Sequence, residues 1–184
     1  MRVVGVVATA LVATTVWGCG GGEGDDVVAQ PAAGTAVRSD VEEAYLAYWS
    51  MVGRLESELP GQDAEIAERA TGPALTELTS EMAMLELAGQ LNIHDDEYDH
   101  QVLSVEVDEN GTDTATLRDC FVNDATLVDR ASGEPVPGDD QATVTELLEV
   151  TLVMRDTWQI QQIETLETFD GATPESCAVS STGG

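Results

Sequence analysis

The sequence contains no lysine, and its seven arginines face 35 aspartate and glutamate residues, which gives a net charge of −28 at pH 7. Proteins that bind DNA, RNA or anionic lipid head groups need a basic surface to neutralise phosphate charge. The composition therefore excludes nucleic acid as a partner. It is typical of a solvated acidic coat in salty surroundings, where ions screen self-repulsion. The alternative is a surface that collects divalent cations or binds a basic partner.

Aromatic residues are also scarce, at 4% of the chain, whereas 42% of the residues are hydrophobic. Aliphatic side chains must therefore fill most of the core of the one domain that 184 residues suggest. The phosphate-binding loop, the dinucleotide fingerprint and the Gly-x-Ser-x-Gly elbow are missing from the sequence. Residues 108–113 begin like an EF-hand loop, but the glycine comes fourth instead of sixth. The sequence carries no signature of these classes.

Long apolar runs are limited to the N-terminus. Residues 1–18 combine Arg2 with an apolar stretch of 15 residues, 3–17. A transmembrane helix needs about 20 such residues, whereas the shorter length is typical of a signal peptide. The leader therefore predicts export of a soluble domain.

The end of the leader, Val16-Trp17-Gly18-Cys19, resembles the lipobox of bacterial lipoproteins. In that motif an aliphatic residue, a small residue and Gly or Ala precede the lipidated cysteine, and Trp17 is bulkier than usual. The resemblance implies a diacylglycerol on Cys19, whose two acyl chains would hold the protein on the outer face of the cell membrane. The alternative is an ordinary secreted protein in which Cys19 is free or paired.

Composition divides the rest of the chain into three parts. Residues 19–38 are rich in glycine, alanine and acids without periodicity, which predicts a flexible tether. Residues 39–178 carry the periodic patterns of a folded domain. Residues 179–184 predict a disordered tail.

Three cysteines are an odd number for an exported protein. If Cys19 carries lipid, Cys120 and Cys177 remain, and a disulfide is the default for such a pair outside the cytoplasm. A reactive thiol or a metal thiolate is the alternative, but it needs a cationic setting or a nearby histidine. We predict a structural disulfide, because Cys120 follows Arg118 and Asp119 and Cys177 lies in an acidic tail.

The first half of the domain has helical periodicity. Ser39 and Glu42 have the spacing of a capping box, and apolar residues recur at helical spacing to about Glu58. A short helix over residues 63–70 and a third helix over residues 73–89 follow, each after a Pro/Gly break.

The hydrophobic period then changes to two, which predicts strands. Leu103, Val105 and Val107 should share one face of the first strand. Helices followed by an antiparallel sheet are the α+β order. The remaining strand segments are residues 113–128, either one strand or two with a kink, residues 142–156, and residues 158–168.

Five features recur in one family: Asp119-Cys120, Val128-Asp129, Ser132-Gly133, Trp158 and Cys177. In this order they resemble the NTF2-like, SnoaL-like domains of exported actinobacterial lipoproteins, over residues 39–178. The resemblance implies a cone, in which N-terminal helices pack on a curved, mainly antiparallel sheet of about four strands around a pocket. Some relatives are isomerases, dehydratases or cyclases and many are non-catalytic, so the fold alone does not decide function.

Residues 94–100 contain both histidines of the chain and four acids, which are ligand types of a zinc-like site. The weak metal candidates are His94, Asp96 and His100. On a strand the two histidines would lie about 20 Å apart, and neighbouring acids raise a histidine's pKa, which opposes metal binding near neutral pH. The simpler interpretation is a charged loop without a metal.

An isomerase needs an acidic base in an apolar pocket and donors for an oxyanion. Asp119 could face inward, and Tyr45 and Tyr48 could supply hydroxyls, but they form no motif. Aromatic residues on the first helix, and likewise Trp49 and Trp158, are typical of core packing.

We therefore predict no catalytic residues and no cofactor, but a lipid-anchored binding or interaction module that takes a small apolar molecule or a protein partner. An isomerase- or dehydratase-like enzyme and a divalent-cation binder are the alternatives. A pocket acid of raised pKa facing two hydrogen-bond donors would favour the enzyme, and an apolar pocket would favour binding.

The lipid anchor predicts where the protein fractionates. Replacing Cys19 with Ser removes the thiol that carries the diacylglycerol, so the exported protein should move from the membrane to the soluble fraction. Fractionation and immunoblotting measure this, with Gly21→Ser as a control that keeps the lipidated thiol. An exported Cys19→Ser protein that stays in the membrane fraction would exclude the anchor.

Overall fold

The computed structural model describes residues 33–58, 63–94, 99–108, 113–138, 142–172 and 174–180, which all belong to the unit Pro31–Gly184. The predicted leader, Cys19 and Asp96 lie outside the described residues, as do residues 19–32 of the predicted tether and 181–184 of the predicted tail.

Three helices open the described chain: α1 (Ala33–Glu58), α2 (Asp63–Arg69) and α3 (Gly72–Ala88). The predicted helices are thus present, but Ser39 lies inside α1, so its prediction as an N-cap was wrong. Val37 packs against the core one turn before Val41, which extends the apolar stripe and carries the helix back to Ala33. Residues 33–38 of the predicted tether are therefore helical.

The strands follow in the second half, and a short helix ends the described chain. They are β1 (Gln90–Ile93), β2 (Asp99–Val107), β3 (Thr114–Asn123), β4 (Thr126–Asp129), β5 (Val144–Met154) and β6 (Trp158–Asp170), followed by α4 (Glu175–Ser180). The four longer strands form one antiparallel sheet in the order β2-β3-β5-β6, and β1 pairs with β4 in a separate two-stranded sheet. This confirms the predicted α+β fold, with N-terminal helices on an antiparallel sheet of four strands.

A bulge in β2 changes which of its side chains face the helices. The pairing of β2 with β3 shifts register between Val102 and Ser104. Val102, Val105 and Val107 pack against the helix-side core, whereas Leu103 packs on the opposite face. The prediction for Leu103 was wrong, because one extra residue reverses the alternation of a strand.

The core lies between the helices and one face of the sheet. It is mostly aliphatic, as the composition predicted, and Trp158 is buried in it. None of the described helices is long and apolar enough to cross a membrane. The largest fully buried side chains are Tyr45, Leu55, Ile66, Leu117, Leu152 and Ile160.

A disulfide holds α4 against the other face of the sheet. Cys120 of β3 and Cys177 of α4 are bonded, with an S–S distance of 2.00 Å. Both are buried beside Leu147, and Leu103 and Phe169 pack around them. The predicted pairing is therefore present, although α4 itself was not predicted.

Removing the disulfide should destabilise the fold. The bond joins residues 57 apart in sequence, and a closed loop of this size stabilises the folded state by about 4 kcal/mol in the chain-entropy model. Replacing both Cys120 and Cys177 with Ala should lower the free energy of unfolding by about that amount. Urea unfolding of the full chain in a Cys19→Ser background measures the change.

A control separates the bond from its packing. Leu147→Ala removes packing from the same cluster but keeps the disulfide. Reducing agent should therefore lower the stability of this variant further, whereas it should leave the stability of the double-Ala variant unchanged. A double-Ala variant as stable as its parent would contradict the prediction.

Candidate functional site

A cavity of about 370 Å³ lies between α1, α3 and the helix-facing side of the sheet. We call it the α1–α3 cavity. A second cavity of about 380 Å³ lies elsewhere on α1, beside the β5–β6 hairpin, and Ala47 and Trp158 help to line it. The lining of the α1–α3 cavity combines three aromatic side chains, Tyr48, Trp49 and Phe121, with four glutamates, Glu56, Glu77, Glu81 and Glu146.

Helical spacing explains how the two helices supply this lining. Tyr48, Val52 and Glu56 follow one another at intervals of four on α1, and Glu77 and Glu81 do so on α3. Residues four apart lie on the same helix face, so each helix presents one stripe to the cavity.

The Glu81 side chain is held partly neutral by its surroundings. Burial, the charge of Glu56 and a hydrogen bond with Glu56 together raise the pKa of Glu81 to about 7, and burial is the largest cause. Near neutral pH the Glu81 carboxyl is therefore a mixture of its two forms. Burial also raises the pKa of Glu146 on the sheet side, against a hydrogen bond with Thr165 that lowers it.

His94 pairs with the buried Glu56, which is 5% exposed. Its Nε2 lies 3.0 Å from Glu56 Oε2 and its Nδ1 lies 3.3 Å from Asp124 Oδ1, while Asn92 Nδ2 donates to Glu56 Oε1 at 3.3 Å. Burial lowers the pKa of His94, but the two carboxylates outweigh burial and raise it above 6.5. Both ring nitrogens of His94 therefore contact carboxylates, and one of these carboxylates belongs to the buried Glu56.

Tyr48 places a hydroxyl among the cavity carboxylates. The residue is 4% exposed, and its hydroxyl makes no hydrogen bond within the described residues. Burial raises the pKa of Tyr48 above its ordinary value, and the charges of Glu81, Glu56 and Glu77 raise it further. The phenol therefore stays protonated.

The aromatic side chains of the cavity form one packed group. Trp49 stacks on Phe121 with ring centroids 4.9 Å apart and meets Tyr48 edge-on at 5.5 Å. Trp49 also packs against the core, as the sequence predicted, but it lines the cavity as well.

A second polar cluster is sealed in the core. Tyr45 Oη donates to Asp119 Oδ2 at 2.7 Å, and His100 Nδ1 lies 2.6 Å from the same oxygen. Tyr45 and Asp119 are both 0% exposed, and Asp119 Oδ1 has no hydrogen-bond partner among the described residues. The structure thus joins two residues considered for an isomerase site, but neither lines the α1–α3 cavity, and Tyr48 makes no hydrogen bond to either of them.

The predicted metal candidates do not come together in the described part of the chain. His94 contacts Glu56 and Asp124, whereas His100 belongs to the Tyr45 and Asp119 cluster. Among the residues described, no group of three His, Cys, Asp or Glu side chains has the arrangement to hold a metal ion.

Sequence reasoning missed the cavity glutamates. Glu56 continues the apolar stripe of Tyr48 and Val52, and Glu81 lies between the apolar positions Leu78 and Leu85 of α3. An acidic residue at the helical spacing of the buried apolar residues is the sequence signal that could have identified these glutamates.

No protein-family model matches the chain. No curated protein matches it either. Among solved structures, the intermembrane space region of the chloroplast protein ARC6 has a similar fold, with a TM-score of 0.54 and 18% sequence identity. The match covers 77% of this chain and 99% of that one. At this identity the likeness shows the fold alone.

Replacing Glu81 with Gln should remove a pH dependence of stability. The pKa of Glu81 is raised from 4.5 to about 7, so the folded state binds this proton more tightly than the unfolded chain does. The resulting stabilisation is full below about pH 4.5 and is lost as the pH rises through 7. From pH 4.5 to pH 8, Glu81→Gln should therefore gain on the order of 1 kcal/mol relative to the wild type, a value reduced for partial solvation.

Urea unfolding at pH 4.5, 6 and 8 measures this difference. Glu86→Gln is the matched control, since it makes the same charge change on an exposed position of α3 outside the cavity. Parallel pH profiles for Glu81→Gln and Glu86→Gln would show that the cavity does not perturb Glu81.

Proposed function

We propose that this chain is a lipid-anchored, extracytoplasmic binding module of the NTF2-like type that holds a small ligand in the α1–α3 cavity. The cavity itself carries the proposal. Its volume of about 370 Å³ falls within the range of roughly 300 to 1,000 Å³ that is usual for small-molecule sites. It also combines an aromatic surface with polar groups from several elements, as such sites do.

Three observations support a location outside the cytoplasm. The leader ends in the lipobox-like Val16-Trp17-Gly18-Cys19, and the Cys120–Cys177 disulfide suits an oxidising compartment. The similar ARC6 region belongs to an intermembrane space, which is in keeping with a domain of this shape working outside the cytosol. The membrane contact would be made by the lipid on Cys19, because a chain of net charge −28 repels anionic head groups.

One observation favours an isomerase-like enzyme as the second candidate. The raised pKa of Glu81 suits a general base near neutral pH. However, Asp119 and Tyr45 do not line the cavity, and the imidazole nitrogens of His94 contact carboxylates. An enzyme would therefore have to work without these three side chains, whereas binding uses the whole cavity lining.

Filling the cavity should abolish binding. Ala74 of α3 lines it and is buried, so Ala74→Phe should occupy the ligand's place and weaken binding by about tenfold or more, equal to about 1.4 kcal/mol. The probes are tryptamine, tryptophol and indole-3-propionate, which share one ring and differ in charge. Amide NMR shifts of α1 and α3 in the full Cys19→Ser chain measure binding.

Ala47→Phe is the matched control, because it makes the same change in the second cavity. It should leave probe binding unchanged. Ala125→Leu fills the α1–α3 cavity from another side and replaces Ala74→Phe if the latter does not fold. The binding proposal fails if none of the three probes shifts the cavity signals.

A further inference from the structure

The charges around the α1–α3 cavity are strongly one-sided. Four glutamates line it and no arginine does, within the described residues. His94 is the basic group of the lining, and it is already engaged by Glu56 and Asp124. Glu77 makes no ion pair with any described residue. The cavity therefore presents negative charge that the protein itself leaves unbalanced.

A second, independent feature is the Tyr48 hydroxyl. The residue is more than nine-tenths buried, lines the cavity, and lies close enough to Glu81, Glu56 and Glu77 to feel their charges. Its hydroxyl makes no hydrogen bond to the other described residues. Its oxygen is available to accept a hydrogen bond from an N–H donor.

The aromatic group supplies the third feature. The stacked Trp49 and Phe121, with Tyr48 at the edge, bring aromatic side chains into the lining of the same cavity. Aromatic faces attract organic cations, and they do so more strongly where water is excluded. A purely apolar ligand would use these rings but would leave the charge of Glu77 without an ion pair among the described residues.

A bare metal ion fits this arrangement poorly. Calcium requires six to eight oxygen atoms converging at 2.3–2.6 Å, a distance typical of such sites. No three of the described acidic, His or Cys side chains are arranged to hold an ion. Carboxylates spread around a cavity of about 370 Å³ match a cation that has a body of its own.

We propose that the α1–α3 cavity binds a small organic ammonium ion. Its N–H groups would be bound by Glu77, Glu81 and the Tyr48 hydroxyl, and its apolar body would lie on Trp49 and Phe121. This inference rests on the proposed binding function and names the ligand class for the same site.

The test compares tryptamine, tryptophol and indole-3-propionate by calorimetry at pH 8 and physiological salt, on the full Cys19→Ser chain. Tryptamine should bind about tenfold or more tightly than tryptophol, as expected for hydrogen bonds to charged groups, and indole-3-propionate should not bind. Glu81→Gln should weaken tryptamine binding about tenfold and leave tryptophol binding unchanged. Tyr48→Phe should weaken tryptamine binding to a smaller extent.

Glu86→Gln separates the site from the overall charge. It removes one negative charge from the exposed side of α3, so it should leave tryptamine binding unchanged. Equal losses in Glu81→Gln and Glu86→Gln would overturn the proposal, because they would show attraction by net charge alone. Glu77→Gln, at an exposed position of the lining, replaces Glu81→Gln if that variant does not fold.

The outcomes also distinguish this inference from the binding function. If tryptophol or indole-3-propionate binds as tightly as tryptamine and shifts the cavity signals, the ammonium proposal is wrong and the binding function stands. If no probe shifts those signals, the binding function itself fails. Calcium chloride is the remaining probe. If calcium binds, displaces tryptamine and is weakened by Glu81→Gln as much as tryptamine is, the ligand is a metal ion and the organic ligand class is wrong.

Discussion

The position of α1 on the sheet depends on one buried hydrogen bond, from Tyr45 Oη to Asp119 Oδ2 at 2.7 Å. Asp119 is fully buried. Sliding α1 by one turn would therefore leave its carboxyl without that donor, at a cost of about 1–3 kcal/mol or more. The bond thereby fixes the register of α1 on β3. One turn further along α1, Trp49 stacks on Phe121. Beyond it, Val52 and Glu56 of the same helix line the cavity.

The cavity follows from that register, because the register of α1 places acidic side chains between the helices and the sheet, where apolar side chains would otherwise fill the core. Glu56 is buried and needs both His94 and Asn92 to balance it, while Glu81 is held partly protonated beside it. Such groups lower stability compared with an apolar filling. Titratable groups with perturbed pKa values cluster at functional sites, so the raised pKa of Glu81 supports the proposed role in binding.

Periodicity was sufficient to predict the helices, the strands of the main sheet and the α+β order, because those elements are long and amphipathic. The start of α1 depended on Val37 reaching the core, and the face of Leu103 depended on a bulge that a period of two cannot show. β1 has four residues and α4 has six, too few for a periodic signal. Glu56 and Glu81 meet because α1 packs beside α3. The periodic pattern of a single helix does not predict which helix packs beside it.

The acids of the described residues include two physical groups. Most are exposed and belong to a solvated coat, whose long-range attraction for cations decays over about 8 Å at physiological ionic strength. That attraction is unselective, since any cation in the surrounding solution satisfies it. Glu77 and Glu81 line the cavity beside aromatic side chains and the Tyr48 hydroxyl, where desolvation strengthens short contacts. If the protein distinguishes one cation from another, the distinction has to come from this second group, because salt screens the first.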